Sequence, residues 1–170
     1  MSDKRILATI RPAAVGDLPR LKQIYNYYVV NSHVTFDIEP VTLAERRKWF
    51  RQFHDTGRHR LLVAEKDGRV VGYAGSFEFR TRCAYESTIE TTVYCAPESM
   101  GLRIGSALYE ALFEALSAED VHVAIAALGL PNDASVALHQ RFGFQLVGVM
   151  HEVGWKFGRY WDVGWYEKRL

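Results

Sequence analysis

A loop with two glycines, between a predicted strand and a predicted helix, is the first part of this sequence suited to chemistry. Residues 100–105 read Met-Gly-Leu-Arg-Ile-Gly. Backbone N–H groups in such a loop point in one direction, and the helix N-terminus adds partial positive charge, so phosphate oxygens are natural ligands. The GxxxG spacing matches neither a Walker loop nor the GxGxxG dinucleotide fingerprint. A plain structural turn therefore stays open as an alternative.

Two titratable side chains and a pair of arginines are further candidates. Glu90 lies in the β-rich run STIETTVYC, where alternation allows it to face either a cleft or solvent. His139 suits proton transfer in either direction near neutral pH, although a hydrogen-bonded helix histidine is the simpler interpretation. Arg80 and Arg82 in the loop FRTRCAYES suit a carboxylate or phosphinate, or are ordinary surface arginines.

Two helices are predicted in the first third of the chain. Asp17 is the predicted N-cap of the first, in which apolar residues recur at helical spacing. Thr42 and Glu45 form a capping-box signature for the second, which has an aromatic stripe. The solvent-facing side of this second helix is predicted to carry a basic cluster of Arg46, Arg47, Lys48 and Arg51.

The remaining elements are predicted from periodicity and turn residues. Two β-rich runs flank a hairpin turn at Asp67 and Gly68, and a third run ends before Pro97. A helix follows the glycine loop, then an apolar run at 121–128, a short helix capped by Asn132 or Asp133, and two last strands. The resulting order β α α β β β α β α β β indicates an α/β domain with a mixed sheet and helices on its faces.

Composition excludes several classes of protein. With 170 residues, a formal net charge of +1 and 48% hydrophobic residues, the chain fits one globular domain without a strong field for nucleic acid. The start MSDKRILATI has no apolar run suited to a signal peptide or membrane span. The two cysteines and the scattered histidines show no metal-site spacing, so we expect reduced thiols, no metal and a cytoplasmic protein.

From end to end the chain resembles the GCN5-related N-acetyltransferases (GNAT), and it looks most similar to their phosphinothricin N-acetyltransferase branch. The resemblance rests on TVYCAP before the glycine loop, GSALYEAL after it, GLPNDASVALH, and GWKFGRYWDVGW near the end. It implies a single N-acetyltransferase domain over residues 1–170, with a mixed, mostly antiparallel sheet and helices on both faces. It also implies acetyl-CoA as cosubstrate, a small-molecule amine acceptor and a homodimer.

The resemblance also implies roles for individual residues. Glu90 corresponds to the glutamate that acts as a base, expected here to work through water, and His139 to a group in proton transfer near the thioester sulfur. The implied coenzyme contacts are Val93, Tyr94, Cys95, Gly101, Leu102, Arg103, Ile104, Gly105, Ser106, Asn132 and Ser135. The implied acceptor contacts are Phe36, Arg82 and Tyr85, and Arg80 is added to them as the second guanidinium of the same loop.

The glycine loop departs from the family pattern Gln/Arg-x-x-Gly-x-Gly/Ala. Met100 and Arg103 replace the first two signature residues, and only Gly105 is retained. If Arg103 needs positive φ, the loop is strained by about 1 kcal/mol or more, unless Gly101 supplies the flexibility instead. The Arg103 side chain then either contacts a phosphate or points to solvent.

The expected acceptor is a small amino acid such as phosphinothricin or methionine sulfoximine. A peptide N-terminus or a polyamine is the alternative, although the paired arginines would repel a polycation. The departures at Met100 and Arg103 also leave open an inactive CoA-binding module. Retention of both Glu90 and His139 argues against that last alternative.

Overall fold

The computed structural model describes residues 8–170, which form seven strands and four α-helices in the predicted order. In chain order they are β1 (Thr9–Pro12), α1 (Leu18–Asn31), α2 (Leu43–Phe50), β2 (Leu61–Lys66), β3 (Arg69–Glu78), β4 (Thr88–Cys95), α3 (Ile104–Leu116), β5 (Val123–Leu130), α4 (Asp133–Arg141), β6 (Gln145–Lys156) and β7 (Arg159–Arg169). No helix within this part of the chain is long and apolar enough to cross a membrane.

All seven strands belong to one sheet, in the order β1-β2-β3-β4-β5-β7-β6. Every neighbouring pair is antiparallel except β4 and β5, which run parallel. The predicted β2–β3 hairpin is confirmed, because Asp67 and Gly68 take φ values of 52° and 73° in its two-residue turn. The sheet is therefore mixed and mostly antiparallel, as the family resemblance implies.

The two faces of the sheet carry separate hydrophobic clusters. Along β2, Leu61 and Val63 point toward the cluster that contains α1, while Leu62 and Ala64 point toward the cluster that contains α3. This alternation follows from the two-residue period of a strand. Helices α1 and α2 consequently cover one face, and α3 and α4 cover the other.

The parallel strands β4 and β5 separate soon after they pair. Their ladder holds three residue pairs and ends where Glu90 faces Ile125. Beyond that pair, residues 91–95 keep their partners on β3, and residues 126–130 keep theirs on β7. The facing edges of β4 and β5 thus form no further ladder with each other within the described chain, and the gap between them gives a ligand access to backbone groups that the sheet does not pair.

The helix starts confirm both predicted N-cap positions, Asp17 for α1 and Thr42 for α2, but only Thr42 caps its helix with a side-chain hydrogen bond. Thr42 and Glu45 form the expected capping box, with N–H to oxygen distances of 2.7 and 3.2 Å. Asp17 does not cap α1 with its side chain. Its carboxylate instead accepts a hydrogen bond from the Ala14 N–H at 2.7 Å and pairs with Arg11 at 2.8 Å, because an ion pair is available there.

Candidate active site

Two cavities lie on opposite faces of the sheet and meet at the gap between β4 and β5. The larger, of about 660 Å³, is lined by β4, the glycine loop and α4, and we call it the coenzyme cavity. The smaller, of about 340 Å³, is lined by α1, α2, β3 and β4, and we call it the acceptor cavity. Four residues line both: Thr91, Thr92, Tyr94 and Ala127.

The glycine loop has a left-handed backbone conformation at a residue that is not glycine, which costs conformational energy. Arg103 takes φ 61° and ψ 17° immediately before α3, so the left-handed conformation falls on arginine. Gly101, with φ 77°, takes positive φ as well, so it adds to the turn and does not replace Arg103. Gly105 lies at a close approach of α3 and α4, since a Cβ there would lie 3.2 Å from the Leu138 side chain, which would have to move by a few tenths of an ångström.

The residues predicted to contact the coenzyme converge on one cavity. All of them line the coenzyme cavity apart from Leu102, whose side chain is 42% exposed. Asn132 caps α4 as predicted, because its side-chain oxygen accepts a hydrogen bond from the Ser135 N–H at 3.3 Å. Burial raises the pKa of the Cys95 thiol to about 11, so the sulfur in this wall is a neutral thiol at neutral pH.

His139 is buried on α4 with both ring nitrogens in hydrogen bonds. Nδ1 lies 2.7 Å from the Ser135 carbonyl oxygen, which can only accept, so Nδ1 carries the proton. In the neutral ring Nε2 then accepts a hydrogen bond from the Tyr109 hydroxyl at 2.8 Å. Burial lowers the pKa of His139, which favours this neutral form. Tyr109 extends the chain of contacts to Thr91, whose Oγ1 lies 3.4 Å from its hydroxyl.

Glu90 is the last residue of β4 that pairs with β5, and its side chain lines the acceptor cavity. Its carboxyl makes no side-chain hydrogen bond or ion pair with the described residues. Burial raises the pKa of this carboxyl above its ordinary value. A carboxylate with a raised pKa beside the gap has the properties expected of a general base.

Arg46 lines the acceptor cavity and was placed wrongly by the sequence analysis. It is only 6% exposed, so it is not part of a solvated basic face. Its guanidinium carbon lies 4.3 Å from the ring centroids of both Tyr25 and Trp49. A signal was present in the sequence, because Arg46 lies three residues from Leu43 and from Trp49 and therefore on the apolar stripe of α2.

The predicted acceptor contacts do not line either cavity of this chain. Arg80 and Arg82 are exposed on the loop after β3, where Arg80 contacts the Tyr85 ring at 5.9 Å. Phe36 packs against β6 so closely that a Cβ on Gly154 would lie 2.1 Å from its ring. The loop nevertheless begins near the site, because Phe77 lines the acceptor cavity and pairs with Glu90 across β3 and β4.

Comparison with known proteins gives one consistent result. The family model described as acetyltransferase (GNAT) domain matches residues 10–165. The chain is 50% identical to a phosphinothricin N-acetyltransferase of Streptomyces coelicolor, over 95% of each sequence. It is 37% identical to an L-methionine sulfoximine/L-methionine sulfone acetyltransferase of Pseudomonas paraeruginosa, over 96% of this chain and 95% of that protein.

The fold agrees with this assignment. A crystal structure of a phosphinothricin acetyltransferase from Sinorhizobium meliloti in complex with AcCoA superimposes with a TM-score of 0.91. That protein is 34% identical, and the match covers 96% of this chain and 89% of the other. The chain therefore belongs to the GNAT acetyltransferase family, and it is an acyltransferase.

Proposed function

We propose that this protein transfers the acetyl group of acetyl-CoA to the amine of a small amino-acid-like acceptor such as phosphinothricin or methionine sulfoximine. One observation carries the proposal: the coenzyme cavity and the acceptor cavity share the wall formed by Thr91, Thr92, Tyr94 and Ala127. A thioester and an amine that enter from opposite faces of the sheet would meet at this wall. The relatives named above act on acceptors of this class.

The coenzyme cavity has the size and the backbone donors that acetyl-CoA requires. Its volume of about 660 Å³ lies in the range of small-molecule sites. The N-terminus of α3 and the loop before it point N–H groups and partial positive charge at a diphosphate. The free edge of β4 at Val93 and Tyr94 offers backbone groups to the pantetheine arm. Arg103 and Arg141 line the same cavity and complement an anionic coenzyme.

Glu90 is the proposed base for direct attack of the amine on the thioester. The α-ammonium group of a free amino acid is protonated at neutral pH, since even the less basic α-amine of a peptide has a pKa of about 7.7–8.0, so it must lose a proton before it can attack. Glu90 would accept that proton through a water molecule, helped by burial, which raises the pKa of its carboxyl. The new N–C bond forms as the C–S bond breaks. Backbone N–H groups near Val93 and Tyr94 would stabilise the negative charge on the carbonyl oxygen.

His139 is proposed to assist proton transfer on the side of the departing thiolate. Both of its ring nitrogens are already hydrogen-bonded, but His139 itself lines the coenzyme cavity, so a proton exchange at Nε2 would replace its hydrogen bond with the Tyr109 hydroxyl. Tyr109 in turn lies beside Thr91 in the shared wall. The hydrogen bond with Tyr109 thus fixes the position of the His139 ring, and Tyr109 in turn contacts Thr91.

The exposed arginines Arg80 and Arg82, together with Tyr85 and Phe36, are proposed to hold the distal group of the acceptor, which is the phosphinate of phosphinothricin or the neutral sulfoximine of methionine sulfoximine. Two guanidiniums on one short loop favour an anionic acceptor over a polyamine. The loop begins two residues after Phe77, which lines the acceptor cavity. A side-chain phosphinate that projects from the mouth of the cavity would meet this loop.

The test is release of free CoA from acetyl-CoA with a panel of acceptors. We expect release with phosphinothricin or methionine sulfoximine and none above background with spermidine or an N-terminal alanine peptide. Release only with the peptide or the polyamine would contradict the proposed acceptor class. Silence across the panel, with acetyl-CoA still bound in calorimetry, would instead identify an inactive coenzyme-binding module.

We also propose that the protein is a homodimer. The last hairpin exposes an unusual number of large apolar side chains, each at least half exposed: Leu146, Val147, Met150, Val153, Trp155, Phe157 and Tyr160. Its strand β6 also forms an edge of the sheet. An exposed apolar patch on an edge strand is typical of an interface between proteins.

A further inference from the structure

Arg46 is a buried cation whose hydrogen bonds are incomplete. Its Nη2 donates to the Tyr73 hydroxyl at 3.3 Å, while its buried Nε has no hydrogen-bond partner. Within residues 8–170, no carboxylate oxygen lies within 4.0 Å of its nitrogens. The contacts with Tyr25 and Trp49 offset part of the cost of burying the charge, but aromatic rings do not satisfy an N–H donor in the guanidinium plane.

The acidic side chains around the acceptor cavity do not supply the missing partner. Asp37 accepts a hydrogen bond from the Tyr25 hydroxyl at 2.7 Å, and Glu45 accepts the Thr42 N–H in the capping box at 2.7 Å. Glu90 lines the same cavity but forms no ion pair with Arg46. A buried, unpaired cation that lines a cavity is a charge for which the folded chain has no counter-ion, so an anionic ligand is its natural partner.

We propose that Arg46 binds the α-carboxylate of the acceptor and thereby restricts the enzyme to α-amino acids with a free carboxylate. The inference rests on the proposed function and names the acceptor class more narrowly. In an α-amino acid the carboxylate is bonded to the same carbon as the amine that attacks, so both groups must fit one small cavity. Arg46 and Glu90 line that cavity, whose volume of about 340 Å³ admits a small amino acid.

The guanidinium geometry fits this role. The donors of arginine lie in one plane and match the two oxygens of a carboxylate, which lysine cannot do. Nε is fully buried, whereas Nη1 makes no hydrogen bond with the described residues and is not fully buried, so the terminal nitrogens are the donors that a carboxylate in the cavity can reach. Arg80 and Arg82 then remain available for the distal group of the acceptor. A peptide amine or a polyamine offers no carboxylate beside its reactive nitrogen and would leave Arg46 unpaired.

The experiment compares enzyme variants, each assayed with an acceptor that has a free α-carboxylate and with one that lacks it. The variants are Arg46→Met, which removes the charge but keeps an unbranched side chain, and Arg46→Lys, which keeps the charge without the planar donors. Arg47→Met is the matched control, because Arg47 is the next residue of α2 and is exposed. Each protein is assayed for kcat/KM with L-methionine sulfoximine and with its α-carboxamide, and for binding of acetyl-CoA by calorimetry.

The wild-type enzyme is expected to prefer the free acid over the carboxamide by about 100-fold or more, because the amide leaves Arg46 unpaired. Arg46→Met should lose most of that preference, through a loss of about 100-fold on the acid and a change of a few-fold on the amide. Arg46→Lys should fall between the two. Arg47→Met should behave as wild type, and acetyl-CoA should bind all four proteins equally.

Equal losses on acid and amide in Arg46→Met would show a structural role and overturn the inference, as would a wild type that uses both acceptors equally well. The second comparison needs no variant, so it holds even if Arg46→Met fails to fold. Binding of L-methionine sulfoximine to the CoA complex, measured by calorimetry, separates the two proposals. A wild type that binds the amino acid through Arg46 without acetylating it would contradict the proposed function alone, and one that binds acid and amide equally would contradict the inference.

Discussion

Burial moves the pKa values of Glu90 and His139 in opposite directions, and each shift favours the neutral form of the side chain. The Glu90 carboxyl has a raised pKa, which makes its ionised form a stronger base. The His139 imidazole has a lowered pKa, which keeps it neutral with Nδ1 protonated. The two groups lie toward opposite faces of the sheet, one in each cavity, so substitutions can separate their roles.

Glu90→Gln is expected to lower kcat by about 10²- to 10⁴-fold, the usual contribution of general base catalysis. Glutamine keeps the shape but cannot accept a proton. Since burial raises the pKa of Glu90, wild-type kcat should fall as pH drops through that raised value, and the variant should lack this acidic limb. Turnover rates measured at saturating acceptor from about pH 5 to about pH 8 show both effects. Unchanged turnover, with acetyl-CoA binding intact, would remove Glu90 from the mechanism.

His139→Phe is expected to change the dependence of stability on pH. The pKa of His139 is lower in the folded protein than the unfolded value of about 6.5, so its contribution to stability is complete above that value and is lost as pH falls toward the folded pKa. Phenylalanine also removes the nearer partner of the buried Tyr109 hydroxyl and leaves it only the longer contact with Thr91 Oγ1 at 3.4 Å, at a cost of about 1 kcal/mol.

Urea unfolding checks this expectation. The variant should be less stable than wild type at about pH 8, and the difference should shrink toward about pH 5, where burying a protonated imidazole costs the wild type stability. His54→Gln is the control, because His54 is exposed and should show no such change. A constant difference across this range would contradict the neutral, hydrogen-bonded state of His139. Wild-type rates and pH profile in His139→Phe would argue against its proton role.

The residues that could do chemistry were predicted from the sequence more accurately than their surroundings in the fold. Glu90 lines a cleft as one of its two alternatives foresaw, and His139 is hydrogen-bonded within the protein, which is the simpler of its two interpretations. The position of Arg46 on the apolar stripe of α2 was the only local signal of its burial, because two of the three rings around it, Tyr25 and Tyr73, come from α1 and β3. A cluster of basic residues in the sequence predicts a solvent-exposed face only where no aromatic cluster from elsewhere in the chain covers one of them.

Among elements, those with a local signal were predicted correctly. The order of helices and strands follows from periodicity, the Thr42 capping box and the turn at Asp67 and Gly68. The separation of β4 from β5 could not be predicted, because it depends on pairing between segments more than 30 residues apart that share only three residue pairs. That gap is what joins the two cavities, so the central feature of the site is a property of the sheet and not of any motif.

A pair of substitutions at Arg103 separates the effect of the strained backbone from the effect of the guanidinium. Arg103→Ala and Arg103→Gly both remove the guanidinium, but only glycine adopts φ near 61° without steric cost. Arg103→Gly should therefore be more stable than Arg103→Ala by up to about 1 kcal/mol in urea unfolding. Equal stability of the two variants would show that the left-handed conformation at this position is not strained.

The acetyl-CoA affinity of Arg103→Ala and Arg103→Gly tests whether the Arg103 guanidinium contacts the coenzyme. Arg103 lines the coenzyme cavity, so we expect a charge-assisted contact with a phosphate. Both variants should then bind acetyl-CoA about 10-fold more weakly, with a smaller dependence on salt than wild type. Unchanged binding in both would mean that Arg103 points to solvent and contributes only its backbone conformation.

For the whole molecule, the apolar hairpin β6–β7 predicts a homodimer. A single valine changed to glutamate in the interface would bury an unpaired carboxylate, which is costly enough to separate the subunits. Val147→Glu should therefore be a monomer of 19.4 kDa, while wild type should have twice that mass. Val15→Glu is the matched control, because Val15 is 62% exposed and Val147 is 61% exposed, but Val15 lies just before α1, outside the apolar hairpin.

Sedimentation equilibrium at micromolar protein measures these masses directly. A monomeric wild type, or a Val147→Glu variant that stays dimeric, would contradict an interface at this hairpin. The kinetics of the monomer add a second result. Arg80, Arg82 and Tyr85 line neither cavity of their own chain, whereas Glu90 and Arg46 do. If the monomer keeps full kcat/KM, one subunit forms the complete acceptor site; if it loses activity while acetyl-CoA still binds, the acceptor site requires the dimer.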